Sequence, residues 1–255
     1  MTEKSQFIDT RLTAHDQAVR LMAAWISAIA DQVRNPVAGI SAAANLIEKQ
    51  MTAFRSAQQW DPAIVEEAVR LMLERLSTFD NYLTELSGFT RTVTLDSKWL
   101  SFREEWHGIE QFMVRRIPLN FRVMPNISGD GKIYVDFERL KSSLSALALN
   151  SAEACGSIIQ PEIEISLIPF HDPLTRYDGV LICVIDNGPG FSDAALIQGL
   201  TPFFTTKDAG TGLGLAMVEK YVRAHGGWVK IANRSSSLEE LHGAVVELFF
   251  PNPAS

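Results

Sequence analysis

Apolar residues recur along the first part of the chain at Met22, Ile26, Ile29, Val33, Pro36, Ile40, Ala43 and Ile47, in alternating steps of four and three. That repeat puts them on one stripe of a long helix. Pro36 lies inside the stripe, and because proline lacks an N–H and crowds the preceding turn, it predicts a kink or one lost hydrogen bond. A polar stretch from Gln50 to Asp61 predicts a loop. Asp61-Pro62, a capping aspartate before a proline at the first helical position, opens a second helix. Its stripe reads Val65, Val69, Met72, Leu76, Phe79, Leu83 and Leu86. Two such helices joined by a short loop form a hairpin whose apolar stripe is too wide for one partner. Pairing of two hairpins into a four-helix bundle, and so a homodimer, is the expected solution. Packing of the hairpin on the rest of its own chain is the alternative.

After Arg91 the pattern changes to short strand-like runs at Trp99–Phe102 and Phe121–Val123, a helix at Phe137–Ala154, strands at Glu162–Ile168 and Val180–Ile185, a helix at Leu215–His225, and strands at Trp228–Ala232 and Val245–Phe250. This order predicts an α+β chain: a helical hairpin over residues 1–95, then an α/β sandwich over 96–255 with helices on one face of a mixed sheet.

The length of 255 residues agrees with two domains. A hydrophobic fraction of 46% with 21% charged residues excludes a disordered chain. The net charge of −7 offers no broad basic surface, which argues against nucleic acid as a partner. Cys155 and Cys183 form no CxxC pair, so neither a disulfide framework nor a zinc site is expected, and a reducing cytoplasm fits. The opening MTEKSQFIDTRL lacks the basic and apolar segments of a signal peptide. No run approaches the about 20 apolar residues of a membrane span, so a cytoplasmic chain without a membrane segment is expected.

Candidate chemistry is concentrated in the second half. Asp186-Asn187-Gly188-Pro189-Gly190 directly follows the apolar strand Val180–Ile185. A carboxylate at a strand end can accept an N–H from a ligand, and the glycines let the backbone approach closely. A plain turn is the competing reading of these five residues. Gly210-Thr211-Gly212-Leu213-Gly214-Leu215-Ala216 runs straight into a helix, where exposed N–H groups and the helix dipole attract phosphate. Between them, Pro202-Phe203-Phe204-Thr205-Thr206-Lys207 offers two hydroxyls and an ammonium. Upstream, Asn150 carries an amide oxygen suited to a hard cation.

Asn150 and these three runs, in this order and spacing, resemble the catalytic ATP-binding domain of two-component sensor histidine kinases, whose fold is shared with Hsp90-type and MutL-type ATPases. Asp31-Gln32-Val33-Arg34-Asn35-Pro36-Val37-Ala38-Gly39-Ile40 resembles that family's phosphoacceptor motif H-E-I-R-N-P-L-A-G-I. The resemblance implies ATP and magnesium as cofactors. It implies that Asp186 binds the adenine amino group, that Asn150 ligates magnesium, and that Gly188 and Gly190 shape the nucleotide pocket. Thr206, Lys207, Gly210, Gly212, Leu213 and Gly214 would cover the phosphates.

Three departures bear on catalysis. Asp31 stands where the family has its phosphoacceptor histidine, Gln32 replaces the glutamate that orients that imidazole, and Ala146, four before Asn150, replaces a polar residue. Asp31 can be read as a solvated helix residue, as a permanent imitation of a phosphorylated site, or as an engineered substitution. His15 lies sixteen residues upstream, about 24 Å along a helix, and cannot stand in. His225 reads as a helix C-terminal residue, where a cation or donor suits the dipole. His107, His171 and His242 read as surface or structural residues. The resemblance links Asn35, one turn after Asp31, to dephosphorylation of a receiver domain. The leading expectation is a dimeric ATP-binding signalling protein that docks a response-regulator receiver domain or a partner histidine kinase, with its own autophosphorylation lost. An active phosphotransfer enzyme, either a kinase in trans or a receiver phosphatase using Asn35, is the second reading. An Hsp90-like or MutL-like clamp ranks below both because it leaves the RNPVAGI helix unexplained.

Overall fold

The computed structural model describes residues 3–57, 60–118, 121–156, 158, 160–207, 210–234 and 243–253, with side chains in the first helix described from Val19 to Ser56 apart from Leu21. The chain divides into two compact units, Met1–Thr90 and Arg91–Ser255. No helix among the described residues is long and apolar enough to cross a membrane.

The first unit is a hairpin of α1 (Glu3–Ala57) and α2 (Pro62–Thr90). α1 continues through Pro36, which offers no N–H to the turn before it. It also continues beyond Gln50, so most of the expected loop is helix. The reason is that Met51 and Phe54 extend the row from Ile47 by further steps of four and three, and the Phe54 ring meets Trp60 edge-on at 5.8 Å. Asp61 caps α2 as expected, its carboxylate accepting the Ala63 N–H at 3.0 Å.

The stripe on α2 resolves into separate rows. Ala68 and Tyr82 are buried, Val65, Met72, Phe79 and Leu86 are half-buried, and Val69, Leu76 and Leu83, spaced by sevens, are exposed. A single partner helix therefore covers two rows and leaves the third in water. On α1, Pro36 and Ala43 are buried while Met22 and Ile26 are exposed, because 55 residues of α1 run well past the 29 of α2.

In the second unit, β1 (Lys98–Ser101) pairs antiparallel with β3 (Lys132–Val135). A five-stranded sheet contains β2 (Arg122–Ile127), β4 (Glu162–His171), β5 (Asp178–Asp186), β6 (Trp228–Asn233) and β7 (Ala244–Pro251), in the order β2-β4-β5-β7-β6. It is mixed: β2 runs parallel to β4 and the other pairs are antiparallel. Helices α3 (Phe102–Val114), α4 (Phe137–Ala154) and α6 (Gly214–Ala224) cover the face carrying Ile163, Ile165, Val246 and Leu248, and α5 (Asp193–Gln198) is a short connector. α3 was not expected. Ser101 ends the strand and its hydroxyl accepts the Glu104 N–H at 3.4 Å, so Phe102 opens a helix instead of closing a strand. The signal was the capping pair Ser101 and Glu104, followed by Phe102, Trp106, Ile109 and Met113 at helical spacing.

α4 begins at a polar junction. Asp136 accepts the N–H groups of Arg139 at 3.1 Å and Asp96 at 2.9 Å, and its own N–H donates to His225 Nε2 at 3.0 Å. His225 Nδ1 lies 2.6 Å from the Tyr221 carbonyl, so Nδ1 carries the hydrogen and the ring is neutral. His225 thus sits at the end of α6 as expected, but as an acceptor and donor of neutral form and not as a cation. Burial lowers its pKa below the usual 6.5, opposed by the Tyr221 carbonyl and the Asp136 charge. Burial raises the Asp136 pKa, but the Asp96 and Arg139 N–H groups outweigh it and hold the carboxyl below its usual value.

Both folded-state pKa values are depressed, so both contributions to stability are complete above the unfolded values and fade as pH falls. The histidine acts first: melting temperature is expected to drop as pH falls below 6.5, toward the lower folded value. His225→Gln keeps an acceptor for the Asp136 N–H without titrating, and its melts should show a flatter pH dependence from 7 to 5. Asp136→Ala should cost about 1–2 kcal/mol at neutral pH through the lost cap, measured by denaturant unfolding.

Candidate functional site

Asp186 ends β5 with only 6% of its surface exposed. Its Oδ1 accepts the N–H of Gly188 at 2.9 Å and of Ala244 at 3.0 Å, and its Oδ2 accepts the Ser151 hydroxyl at 2.8 Å. The turn after it is built for close approach. A Cβ at Gly188 would stand 3.0 Å from both Asp186 Oδ1 and Cys155 Sγ, and Gly190, at φ +81, would bring one 2.8 Å from Asn233 Oδ1. Asn187 points away, accepting the Glu162 N–H at 2.9 Å and donating to the Gln160 carbonyl at 2.8 Å, so it ties β5 to β4. The Cys155 thiol beneath the turn is pushed up to about 11 by burial and by the Asp186 charge, and stays neutral.

The glycine loop enters α6 at Leu213, a buried residue with no side-chain cap bond, which leaves the first-turn N–H groups of α6 to be satisfied from outside the side chains. Gly212 adopts φ +68 and its carbonyl accepts the Phe203 N–H at 2.9 Å, while Phe203 itself has φ +68. Two left-handed residues packed backbone to backbone hold the PFFTTK segment against the glycine loop, a strained arrangement of the kind found at binding sites. Thr205 Oγ1 accepts the Lys207 N–H at 3.1 Å and shapes that turn, whereas Thr206 is exposed. A Gly210 Cβ would collide with Thr205 Oγ1 at 2.3 Å.

Asn150 on α4 faces this loop: a Cβ at Gly214 would lie 3.6 Å from its Nδ2 and 3.9 Å from its Oδ1. Its Oδ1 accepts from Lys207 Nζ at 3.4 Å, and the same ammonium pairs with Glu153. The expected residues Asn150, Asp186, Gly188, Gly190, Lys207, Gly210, Gly212, Leu213 and Gly214 thus converge, with Thr206 at the rim. Ser151, Glu153 and Cys155 were not foreseen, although their helical spacing around Asn150 was legible. Ala146 is half-buried against the core.

Asp31, Gln32 and Asn35 belong to the other unit. Asp31 is exposed and paired with Arg34 at 2.9 Å, Gln32 is half-buried, and Asn35 is exposed one turn on. His107 Nε2 lies 2.9 Å from Gln111 Nε2 and His171 pairs with Asp178 at 2.8 Å, both at the surface. His242 and the side chain of His15 lie outside the described residues.

A model of the histidine kinase-, DNA gyrase B-, and HSP90-like ATPase family matches residues 135–254. The sensory histidine kinase/phosphatase NtrB of Rhizobium meliloti is 26% identical over 243 residues, covering 90% of this chain and 59% of the relative. The sensor histidine kinase ZraS of Klebsiella oxytoca is 28% identical over 222 residues, covering 85% of this chain and 44% of the relative. Residues 135–254 belong to this ATPase family, and the chain is similar to two-component sensor histidine kinases. The chain spans about half the length of the curated relatives it matches. Its fold is that of histidine kinase ThkA, solved in complex with response regulator protein TrrA, with a TM-score of 0.65 at 19% identity over 98% of this chain and 67% of that one. The histidine-kinase homologue therefore pairs a helical hairpin with an ATPase-type domain.

In this kinase homologue a Cβ at Gly212 would stand 2.4 Å from the Phe203 carbonyl carbon, and the φ is unfavourable for alanine. Gly212→Ala is expected to destabilise by about 1–3 kcal/mol in denaturant unfolding. Gly214→Ala, whose Cβ meets nothing nearer than 3.6 Å, should leave stability unchanged or slightly raised.

Proposed function

We propose that the chain is a dimeric signalling protein that binds Mg-ATP and docks a response-regulator receiver domain or a partner histidine kinase in the cytoplasm, without phosphorylating itself. The observation that carries this reading is the contrast between the two ends of the machinery. The Asp186 cradle, the glycine contacts and the uncapped start of α6 have the shape and polarity of a nucleotide site. The position that resembles the family's phosphoacceptor holds Asp31, ion-paired with Arg34 at 2.9 Å.

In this reading Asp186 accepts an adenine N–H, and Gly188 and Gly190 admit the base. The N–H groups at Gly210–Gly214 receive phosphate oxygens together with Thr206 and Lys207. Asn150 ligates magnesium. An ion held this way takes most of its ligands from phosphate oxygens and water. Bound magnesium would neutralise phosphate charge. An ion on Asn150 Oδ1 would displace Lys207 from that oxygen, and its ammonium, paired with Glu153, could turn to the phosphates. The exposed row Val69, Leu76 and Leu83 supports a homodimer, in which a second hairpin would cover it. Sedimentation at micromolar concentration tests the dimer, and a one-chain mass would refute it.

A receiver phosphatase is the second reading. Asn35 is exposed one turn after Asp31, suited to placing a water, and the relative NtrB is named a kinase/phosphatase.

Nucleotide at a hundred times its dissociation constant should add about 2.7 kcal/mol of apparent stability, and Asp186→Asn should remove most of it. An unchanged melting temperature with saturating Mg-ATP would refute nucleotide binding. With γ-labelled ATP the chain alone should acquire no stable label, since phosphoryl transfer depends on positioning and neither the Asp31 carboxylate nor Gln32 supplies it. Asp31→His with Gln32→Glu separates the defects. Label on the new imidazole means only the acceptor pair was lost, and continued silence places the fault in the ATP site, where Ala146 is the first residue to restore. A base-labile acyl phosphate on Asp31 in the unmodified protein would contradict the proposal.

A further inference from the structure

A carboxylate has about four acceptor sites, two on each oxygen. In Asp186 both sites of Oδ1 are filled from the backbone, by Gly188 N–H at 2.9 Å and Ala244 N–H at 3.0 Å. Oδ2 receives the Ser151 hydroxyl at 2.8 Å. Three of the four sites are therefore committed within the chain, and the last, on Oδ2, is aimed by where the serine sits. Both side chains are more than nine-tenths buried, so the bond is made away from competing water.

We infer that Ser151 is a positioning residue for base recognition: by filling one acceptor site of Asp186 Oδ2 it leaves a single site, of fixed direction, for one exocyclic N–H of the nucleotide base. This rests on the proposed nucleotide reading and adds to it the group that sets its selectivity. Two further features agree. Cys155, the C-cap of α4 one turn after Ser151, packs beneath Gly188, where a Cβ would stand 3.0 Å from its Sγ, so the side of the turn facing α4 is closed by a buried thiol. Asn150, the residue before Ser151, faces Gly214. One turn of α4 thus serves both the base side and the phosphate side of the site. A base with a 6-oxo group would set acceptor against acceptor at Oδ2, and a base with hydrogen at position 6 would leave that site unfilled.

The test uses the full chain and equilibrium binding of Mg-ATP against the magnesium complex of purine riboside triphosphate, which lacks the 6-amino group. The unmodified protein should prefer ATP. Ser151→Ala should narrow that preference about tenfold by weakening ATP while leaving the analogue within about twofold, because the lost bond acts through the N–H contact. Ser151→Thr, which keeps the hydroxyl, should restore the preference, and Ser151→Cys, a similar shape with a weaker donor, should fall between. An equal loss for both nucleotides would show a merely structural role and overturn the inference, as would an unchanged ratio in Ser151→Ala. If the unmodified protein binds both nucleotides equally, the Asp186 contact is wrong and this inference falls with it. Binding of neither refutes the nucleotide reading itself.

Discussion

The buried carboxylate of Asp186 is the constraint on which the second unit depends. A carboxyl group with so little exposure is stable only where donors surround it, and here they come from three places: the turn after β5, the start of β7 and the last turn of α4. The carboxyl group therefore joins the sheet to its covering helix. Gly243 shows how tight the closure is, since a Cβ there would overlap the Asp186 carbonyl oxygen at 2.0 Å. Packing alone would hold the helix on the sheet, but it would not set its register to within a hydrogen bond.

The remainder of the pocket is made by leaving things out. Gly188, Gly190 and Gly212 each exclude a side chain where another group already stands, and the start of α6 lacks a capping side chain. The positive side chain beside this loop is Lys207, whose ammonium already sits against Asn150 and Glu153. A ligand of high negative charge meets a site that is polar in its own shape and not through a broad basic surface.

Much of this was legible in the sequence, and the parts that were not have identifiable causes. Strands β4, β5, β6 and β7 follow from short strand-like runs separated by turns, and the convergence of Asn150, Asp186 and the glycine loop follows from runs adjoining a strand end or a helix start. α3 was missed because its capping serine closes a strand, so one residue serves two elements. The end of α1 was placed too early because Met51 and Phe54 are scattered among polar residues. Ser151 is the more instructive case: its place beside Asn150 on a helix is legible but its role is not, since its partner lies 35 positions away and only the fold brings them together. The acceptor role of His225 was missed for the same reason, as its second nitrogen faces the N–H of Asp136, 89 positions earlier.

That last contact lies at one end of α4, an 18-residue helix about 27 Å long. At this end Asp136 grips the backbone of residue 96, close to where the chain enters the unit, and near the other end stand Asn150 and Ser151. A helix is stiff along its axis. The anchor of the entering chain and the hydroxyl that Asp186 accepts therefore hang on opposite ends of one stiff element, and neither can shift along the axis without the other.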